Sequence, residues 1–317
     1  MIRRVLLAAL LAAAPTVQAQ EYPSRPIKIV APFPAGGSAD LIPRVIGEKL
    51  SLKWGQPVIV ENRAGAAGNI GAEYVFKAEP DGYTLLSSPP PPLIINPSLY
   101  RNLPFDPTQF VPIGVMVAIP NVVLVNPRVH VNSIRELIAY AKANPDRLNY
   151  ASQGSGTTSH LTGEMFKSMA GVRLTHIPYK GSAPALTDLL AGQVEMMFDN
   201  LGVSRQHVVS GKLKLLAVCS EKRVASLPEV PALAEILPGF EAVAWFGIVA
   251  PPKTPMPIAE KISAAVAEVL KLPDVRKRLA DLSAEAIGST PAEMAAFMKK
   301  DAERWRGVIR SAGVKAD

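Results

Sequence analysis

The chain has 317 residues, is 48% apolar and carries a formal net charge of +7 with one cysteine. That length suits two domains, and the apolar share suits sizeable cores. Only 6% of residues are aromatic, and bases such as Arg276-Lys277-Arg278 are spread over helix faces, which argues against a nucleic-acid platform. Cys219 alone cannot form an internal disulfide, and His130, His160, His176 and His207 lie too far apart to suggest a metal site. No cofactor motif stands out, and the net charge favours weak steering of anionic solutes.

Residues 1–19 read as a secretory leader: Arg3 and Arg4, an apolar run over 5–14, and the small-x-small site Val17-Gln18-Ala19. The apolar run is shorter than the roughly 20 residues needed to span a bilayer. Gln20 stands where a lipid-anchored form would carry cysteine. The mature chain is expected to start near Gln20.

From there strand and helix patterns alternate. Residues 27–33 form a nearly all-apolar strand, the mark of a sheet covered on both faces. Gly36-Gly37 leads into a helix carrying Leu41, Val45 and Leu50. A strand over 57–60, a glycine-rich turn into a helix over 62–77 and a strand over 83–88 complete a βαβαβ unit with a parallel sheet. Pro89 to Pro92 predict a stiff extended loop. The apolar run 111–125, broken by Pro112 and Pro120, predicts a strand pair crossing between domains.

A second α/β series follows. Ser133-Ile134-Arg135-Glu136 is a capping-box pattern whose helix ends at Asn144-Pro145. Strands are predicted over 148–152, 174–179, 194–198 and 213–218, with helices starting after Gly154 and over 183–190. A strand over 240–250 precedes a helical tail. There Thr290-Pro291-Ala292-Glu293 combines a Thr cap, a first-position proline and a third-position Glu. Met294, Phe297, Met298, Trp305 and Ile309 mark that helix's buried stripe.

Two turns share one design, each following a strand and opening a helix. One is Pro32-Phe33-Pro34-Ala35-Gly36-Gly37-Ser38-Ala39-Asp40; the other is Gln153-Gly154-Ser155-Gly156-Thr157-Thr158. Glycine admits close backbone approach. The first amides of a helix lack internal partners and favour an anion. Such turns lie at the carboxyl ends of strands, where open α/β sheets bind ligands. Two of them, one per domain, are expected to hold a dicarboxylate between them.

Other candidates surround these turns. Phe33 either walls the pocket or belongs to the core. Ser87 and Ser88 end a strand near the cleft. Ser155 and Thr157 contact ligand or cap the helix, and His160 lies on that helix's face. Tyr179 offers a hydroxyl, and Lys180 either attracts the anion or stays solvated. Asn200 is a donor, whereas Asp199 would repel an anion unless it holds backbone or a protonated group. Pro43 places Asp40 as the N-cap of the first helix, because proline fits only the first turn.

Longer motifs carry a resemblance. Tyr22-Pro23-Ser24-Arg25-Pro26-Ile27-Lys28 through Asp40, Val60-Glu61-Asn62-Arg63-Ala64-Gly65, Pro80-Asp81-Gly82-Tyr83-Thr84-Leu85-Leu86, Pro178-Tyr179-Lys180-Gly181-Ser182-Ala183-Pro184-Ala185, Met197-Phe198-Asp199-Asn200 and Trp245-Phe246-Gly247-Ile248-Val249-Ala250-Pro251 resemble the Bug family of tripartite tricarboxylate transporter receptors. The resemblance covers essentially the whole mature chain. It implies an α/β, type II-like periplasmic binding protein with two lobes, a cleft and a two-strand hinge. Lobe 1 would comprise 20–120 and 218–317, and lobe 2 121–217. It further implies carboxylate ligands, membrane permease subunits as partners and a periplasmic location; a monomer is expected. Pro43 and the segment 87–92 depart from the family pattern; the latter ends a strand facing the cleft, and the ligand stays open among dicarboxylates, tricarboxylates, aromatic acids and neutral amides.

Three other readings stand beside this one. A carboxylate sensor without transport needs the same cleft. A serine hydrolase using Ser155, His160 and Asp199 lacks the Gly-x-Ser-x-Gly elbow. A dinucleotide site at Gly65-Ala66-Ala67-Gly68-Asn69-Ile70-Gly71 has the wrong glycine spacing.

Overall fold

A computed structural model describes residues 22–225 and 227–314. The expected leader, 1–19, lies outside the described residues.

Five-residue apolar strands start the fold. β1 (Ile27–Ala31) runs parallel between β2 (Val58–Asn62) and β3 (Thr84–Ser88). α1 (Ser38–Trp54) and α2 (Asn69–Phe76) make the crossovers, as the βαβαβ reading requires. β9 (Val243–Ala250) then adds antiparallel to β3, and the sheet order is β2-β1-β3-β9, followed by β4 (Val111–Val125), β7 (Met196–Asn200), β5 (Asn149–Ser152) and β6 (Thr175–Pro178).

The run 111–125 is not a strand pair but one 15-residue strand, β4 (Val111–Val125). Pro112 sits where its register against β9 shifts, and Pro120 is the last residue paired with β9, so neither has to break the strand. From Asn121 onward β4 exchanges partners, pairing with β7 (Met196–Asn200) and β8 (Lys214–Val218). β5 (Asn149–Ser152) lies parallel to both β7 and β6 (Thr175–Pro178). The helices of this half are α3 (Ile134–Ala143), α4 (Thr158–Ala170), α5 (Ser182–Ala191) and α6 (Leu201–Val209). Asn121 is the junction: its N–H bonds the carbonyl of Ala242 at 3.0 Å, and its own carbonyl accepts from Cys219 N–H at 2.7 Å. Cys219 is fully buried there, and burial pushes its thiol well above the usual range.

The tail comprises α7 (Met256–Val269), α8 (Pro273–Asp281), the two-residue β10 (Glu285–Ala286) and α9 (Pro291–Ala312). Thr290 caps α9 as expected: its Oγ accepts from Glu293 N–H while the Glu293 carboxylate takes Thr290 N–H at 2.8 Å. Met294, Trp305 and Ile309 are buried, but Phe297 is 40% exposed. α9 packs against β4, α4 and the 91–95 turn, so it touches both halves of the sheet. Beneath it the buried Trp245 indole donates to Asp301 at 2.8 Å, and Arg304 pairs with the same carboxylate.

Two further expectations need correction, and one helix was not expected. Pro89 to Pro92 do not form an extended loop: Pro90 is helical, and Pro91–Ile95 makes one wide π-turn, with Asn96 N–H reaching the Pro91 carbonyl. Prolines suit an opening turn, where no N–H is needed. Asp40 is not the N-cap of α1. Gly37 is, which puts Pro43 in the second turn, where the Ala39 carbonyl loses its helical donor. Packing of Ile42, Val45, Ile46 and Leu50 into the core offsets that loss. Finally, α6 had no counterpart in the sequence reading.

α6 depends on close approach. A Cβ on Gly202 would lie 2.1 Å from the Leu282 carbonyl oxygen. Gly202→Ala must therefore push α6 off that backbone and is expected to cost about 1–3 kcal/mol. Urea unfolding of the variant should show it as a lower midpoint at unchanged m-value.

Candidate ligand-binding cleft

The two glycine turns face each other. α1 begins at Ser38 with Gly37 as cap; α4 begins at Thr158 with Thr157 as cap. A third turn, missed as a site, joins them: Gly181 caps α5 with φ +105°. An added Cβ on Gly37 would stand 3.8 Å from Ser182 Oγ, and one on Gly181 would stand 3.4 Å from the Pro34 ring. The turns thus meet across the boundary between the two halves of the sheet.

The small cavity they enclose, about 20 Å³, is walled by Phe33, Pro34, Gly37, Ser38 and Ala39 from the first turn. Gln153, Thr158, Gly181, Ser182 and Asn200 close it from the other half, and Pro89, Ala244 and Phe246 complete it. Among the described residues nothing accepts the N–H of Ser38, Ala39, Thr158 or Ser182. These are first-turn amides at the positive ends of three helices. The Ser38 hydroxyl is also buried without a hydrogen-bond partner. Among the described residues no Lys, Arg, Asp or Glu side chain lines this cavity. Its chemistry is therefore fixed N–H dipoles beside an aromatic wall, suited to a small anion.

The remaining candidates hold the turns. Asp199 is fully buried; its Oδ1 accepts from Gln153 Nε2, from Ser182 Oγ at 3.0 Å and from Asn200 N–H at 2.8 Å. Burial raises its pKa to about 6, against the lowering effect of those three bonds. It fixes three residues of the cavity wall without lining the cavity itself. Asn200 Nδ2 donates to Asn121 Oδ1 at 2.9 Å, and Asn121 Nδ2 to Thr162 Oγ1 at 2.8 Å. A buried polar chain thus joins the cavity wall to the strand junction.

Asp40 plays a similar part in the first turn. Its carboxylate accepts from Gly36 N–H at 3.0 Å, Asn62 Nδ2 at 2.9 Å and Arg44 Nε at 2.8 Å. Burial raises its pKa, but the bonds from Arg44, Gly36 and Asn62 outweigh that and leave it lowered. Gly156 N–H donates to His160 Nδ1 at 3.1 Å, and the His160 ring stacks on His176 at 4.0 Å. Burial lowers the pKa of His160 to about 4 and that of His176 to about 3. His160 therefore pins the second turn as a neutral ring.

Several predicted residues lie outside the small cavity. Ala35 and Gly36 are exposed, Ser87 and Ser88 are buried in β3, and Ser88 Oγ donates to the Pro89 carbonyl. Gly154, Ser155, Thr157 and Tyr179 instead line an adjoining cavity of about 430 Å³, which shares Phe33, Pro34, Gln153 and Gly181 with the first. Thr158 belongs to the second predicted turn; Gly181 and Ser182 were not singled out, although a glycine between a strand and a helix is the signal that would have found them. Ala244 and Phe246 arrive from β9, some 200 residues after Phe33, with no local signal.

Known proteins resemble this chain in sequence and in fold. The model of the tripartite tricarboxylate transporter family receptor matches residues 42–314. The chain belongs to that family. BugT of Bordetella pertussis is 38% identical to this receptor over 302 residues, covering 94% of this chain and 93% of BugT. The structure of R. palustris Rpa4515 with adipate superposes with a TM-score of 0.90 at 37% identity, covering 93% of this chain and 99% of that one. MatC from Rhodopseudomonas palustris with bound malate gives 0.85 at 32%, covering 91% and 100%. The receptor's fold is that of the periplasmic binding proteins, and its family binds solutes rather than catalysing reactions. The hydrolase triad is not assembled either: His160 bonds Gly156, and Asp199 bonds Gln153, Ser182 and Asn200.

Asp199 gives a signed pH prediction. Its folded pKa of about 6 exceeds the ordinary 3.8. Folding is then weakened as pH rises through that interval, by about 3 kcal/mol in full. Asp199→Asn removes the titration. Its stability relative to the parent should rise between pH 4 and pH 7.5, read by thermal unfolding at both. A difference independent of pH would contradict the raised pKa.

Proposed function

We propose that the receptor is exported to the periplasm, captures a small organic acid between two lobes and presents it to the membrane permease subunits of a tripartite tricarboxylate transporter. The lobes are 20–120 with 218–317, and 121–217, hinged where β4 passes Pro120-Asn121 and where the chain returns between β8 and β9. The observation that carries this reading is the convergence of unpaired first-turn amides from α1, α4 and α5 on one cavity without a charged side chain. Rpa4515 with adipate and MatC with malate support a carboxylate as the guest.

The magnitudes suffice. A hydrogen bond to a charged group contributes roughly 1.5–3 kcal/mol net. Three or four, less the cost of lobe closure, reach about −8 kcal/mol, near micromolar affinity. The donors are backbone groups already fixed by helix geometry, so binding orders little. Gly156, at φ +80°, is the constrained glycine, since a Cβ there would approach Leu99 to 3.1 Å; a Cβ on Gly37 would make only ordinary contact with Ser182 Oγ, at 3.8 Å.

Calorimetric titration of the mature protein with organic acids and their neutral amides tests the reading. A carboxylate should bind where its amide does not. Ser38→Pro deletes one N–H at a helix position that tolerates proline. It should weaken binding about 10-fold or more, while Ser38→Ala, which removes only the hydroxyl, should cost less. Preference for the amides, or equal effects of the two variants, would contradict the assignment.

A further inference from the structure

Resting on the carboxylate reading above, we propose that the adjoining cavity is a second subsite selecting an elongated or aromatic dicarboxylate, with its far acid group beside Lys180. The inner cavity, at about 20 Å³, has room for about one or two water-sized groups, which matches the two oxygens of one carboxylate. The body of a diacid must then lie elsewhere. Phe33, Pro34, Gln153 and Gly181 wall both cavities, so a solute anchored at the inner amides passes that boundary into the outer one.

The outer cavity suits such a body. Its volume of about 430 Å³ lies within the ordinary range for small-molecule sites. Ala66 and Ala67, Tyr100 and Tyr179 provide small and aromatic apolar walls. The Tyr179 hydroxyl is already committed to Asp188 Oδ2 at 2.7 Å, and burial, with that bond, raises its pKa to about 12. Tyr179 therefore contributes its ring rather than an acid or base.

Among the described residues Lys180 is the single charged one in this wall, and no carboxylate side chain opposes it there. Among the described residues the Lys180 side chain makes no ion pair or hydrogen bond. It also directly precedes Gly181, the cap of the helix whose first amide faces the inner cavity. The inner subsite thus offers fixed N–H dipoles and the outer one an unopposed ammonium group beside mostly apolar walls, so a diacid whose body fills the outer cavity meets positive potential at each carboxylate.

The larger groove of about 740 Å³ between β4, β9 and α9 differs in kind. Its walls carry Glu241, Glu293 and Asp301 beside Lys300 and Arg304, and Arg304 is already paired with Asp301. It offers no unopposed charge for an anion.

Calorimetry with succinate, adipate and hexanoate on the mature protein, its Lys180→Ala variant and its Lys180→Gln variant tests the proposal. Adipate should bind at least about 10-fold more tightly than either succinate or hexanoate. Both variants should weaken adipate about 3–10-fold and leave hexanoate unchanged. Succinate binding as tightly as adipate would overturn the subsite, as would equal losses for adipate and hexanoate or no loss for either. Failure of all three acids to bind the unsubstituted protein would instead remove the carboxylate reading, and this subsite with it.

Discussion

First-turn amides that have no partner inside their own helices are the feature on which the rest of this structure depends. A helix cannot satisfy its opening N–H groups by itself. Most proteins spend side-chain caps or water on them. Here Ser38, Ala39, Thr158 and Ser182 bring them to one small cavity from two halves of the sheet. Because the donors are backbone, their positions follow from where each strand ends and each glycine turns. Side-chain chemistry is left to brace the turns: Asp40 holds Gly36, Asp199 holds Gln153, Ser182 and Asn200, and His160 holds Gly156.

The same bracing reaches the place where the halves join. Asn121 is the first residue of β4 beyond its pairing with β9, and every polar group it has is engaged. Through Asn200 it touches the cavity wall; through Thr162 it touches α4. A buried polar chain whose members are satisfied stiffens the core around it. A movement of one half against the other would have to preserve or exchange these bonds, so the cavity and the junction are mechanically linked. α9, packed on both halves, adds a second tie.

The local signals were legible in the sequence and the non-local ones were not. The glycine turns at 36–37 and 154–156, the cap at Ser133 and the box at Thr290–Glu293 could be read because a few neighbouring residues fix each of them. Pro43 misled because proline usually avoids a second turn, and only the packing of α1 reveals why this one is accepted. The four prolines at 89–92 misled for the opposite reason: proline also opens helices, and sequence alone does not say which use applies. α6 follows β7 with no loop, and of its nine residues only Leu201 and Ser204 are buried, so it shows no apolar stripe. The wall contributed by Ala244 and Phe246 depends on β9 inserting between β3 and β4, a pairing that no short window contains.

Amide resonances report the central claim most directly. On titration with a tightly bound carboxylate, the proton–nitrogen signals of Ser38, Ala39, Thr158 and Ser182 should move downfield together and saturate at one equivalent, because each N–H gains a charged acceptor. Saturable binding that leaves those four signals in place, with the shifts gathered instead around Trp245 and Phe297, would contradict the account.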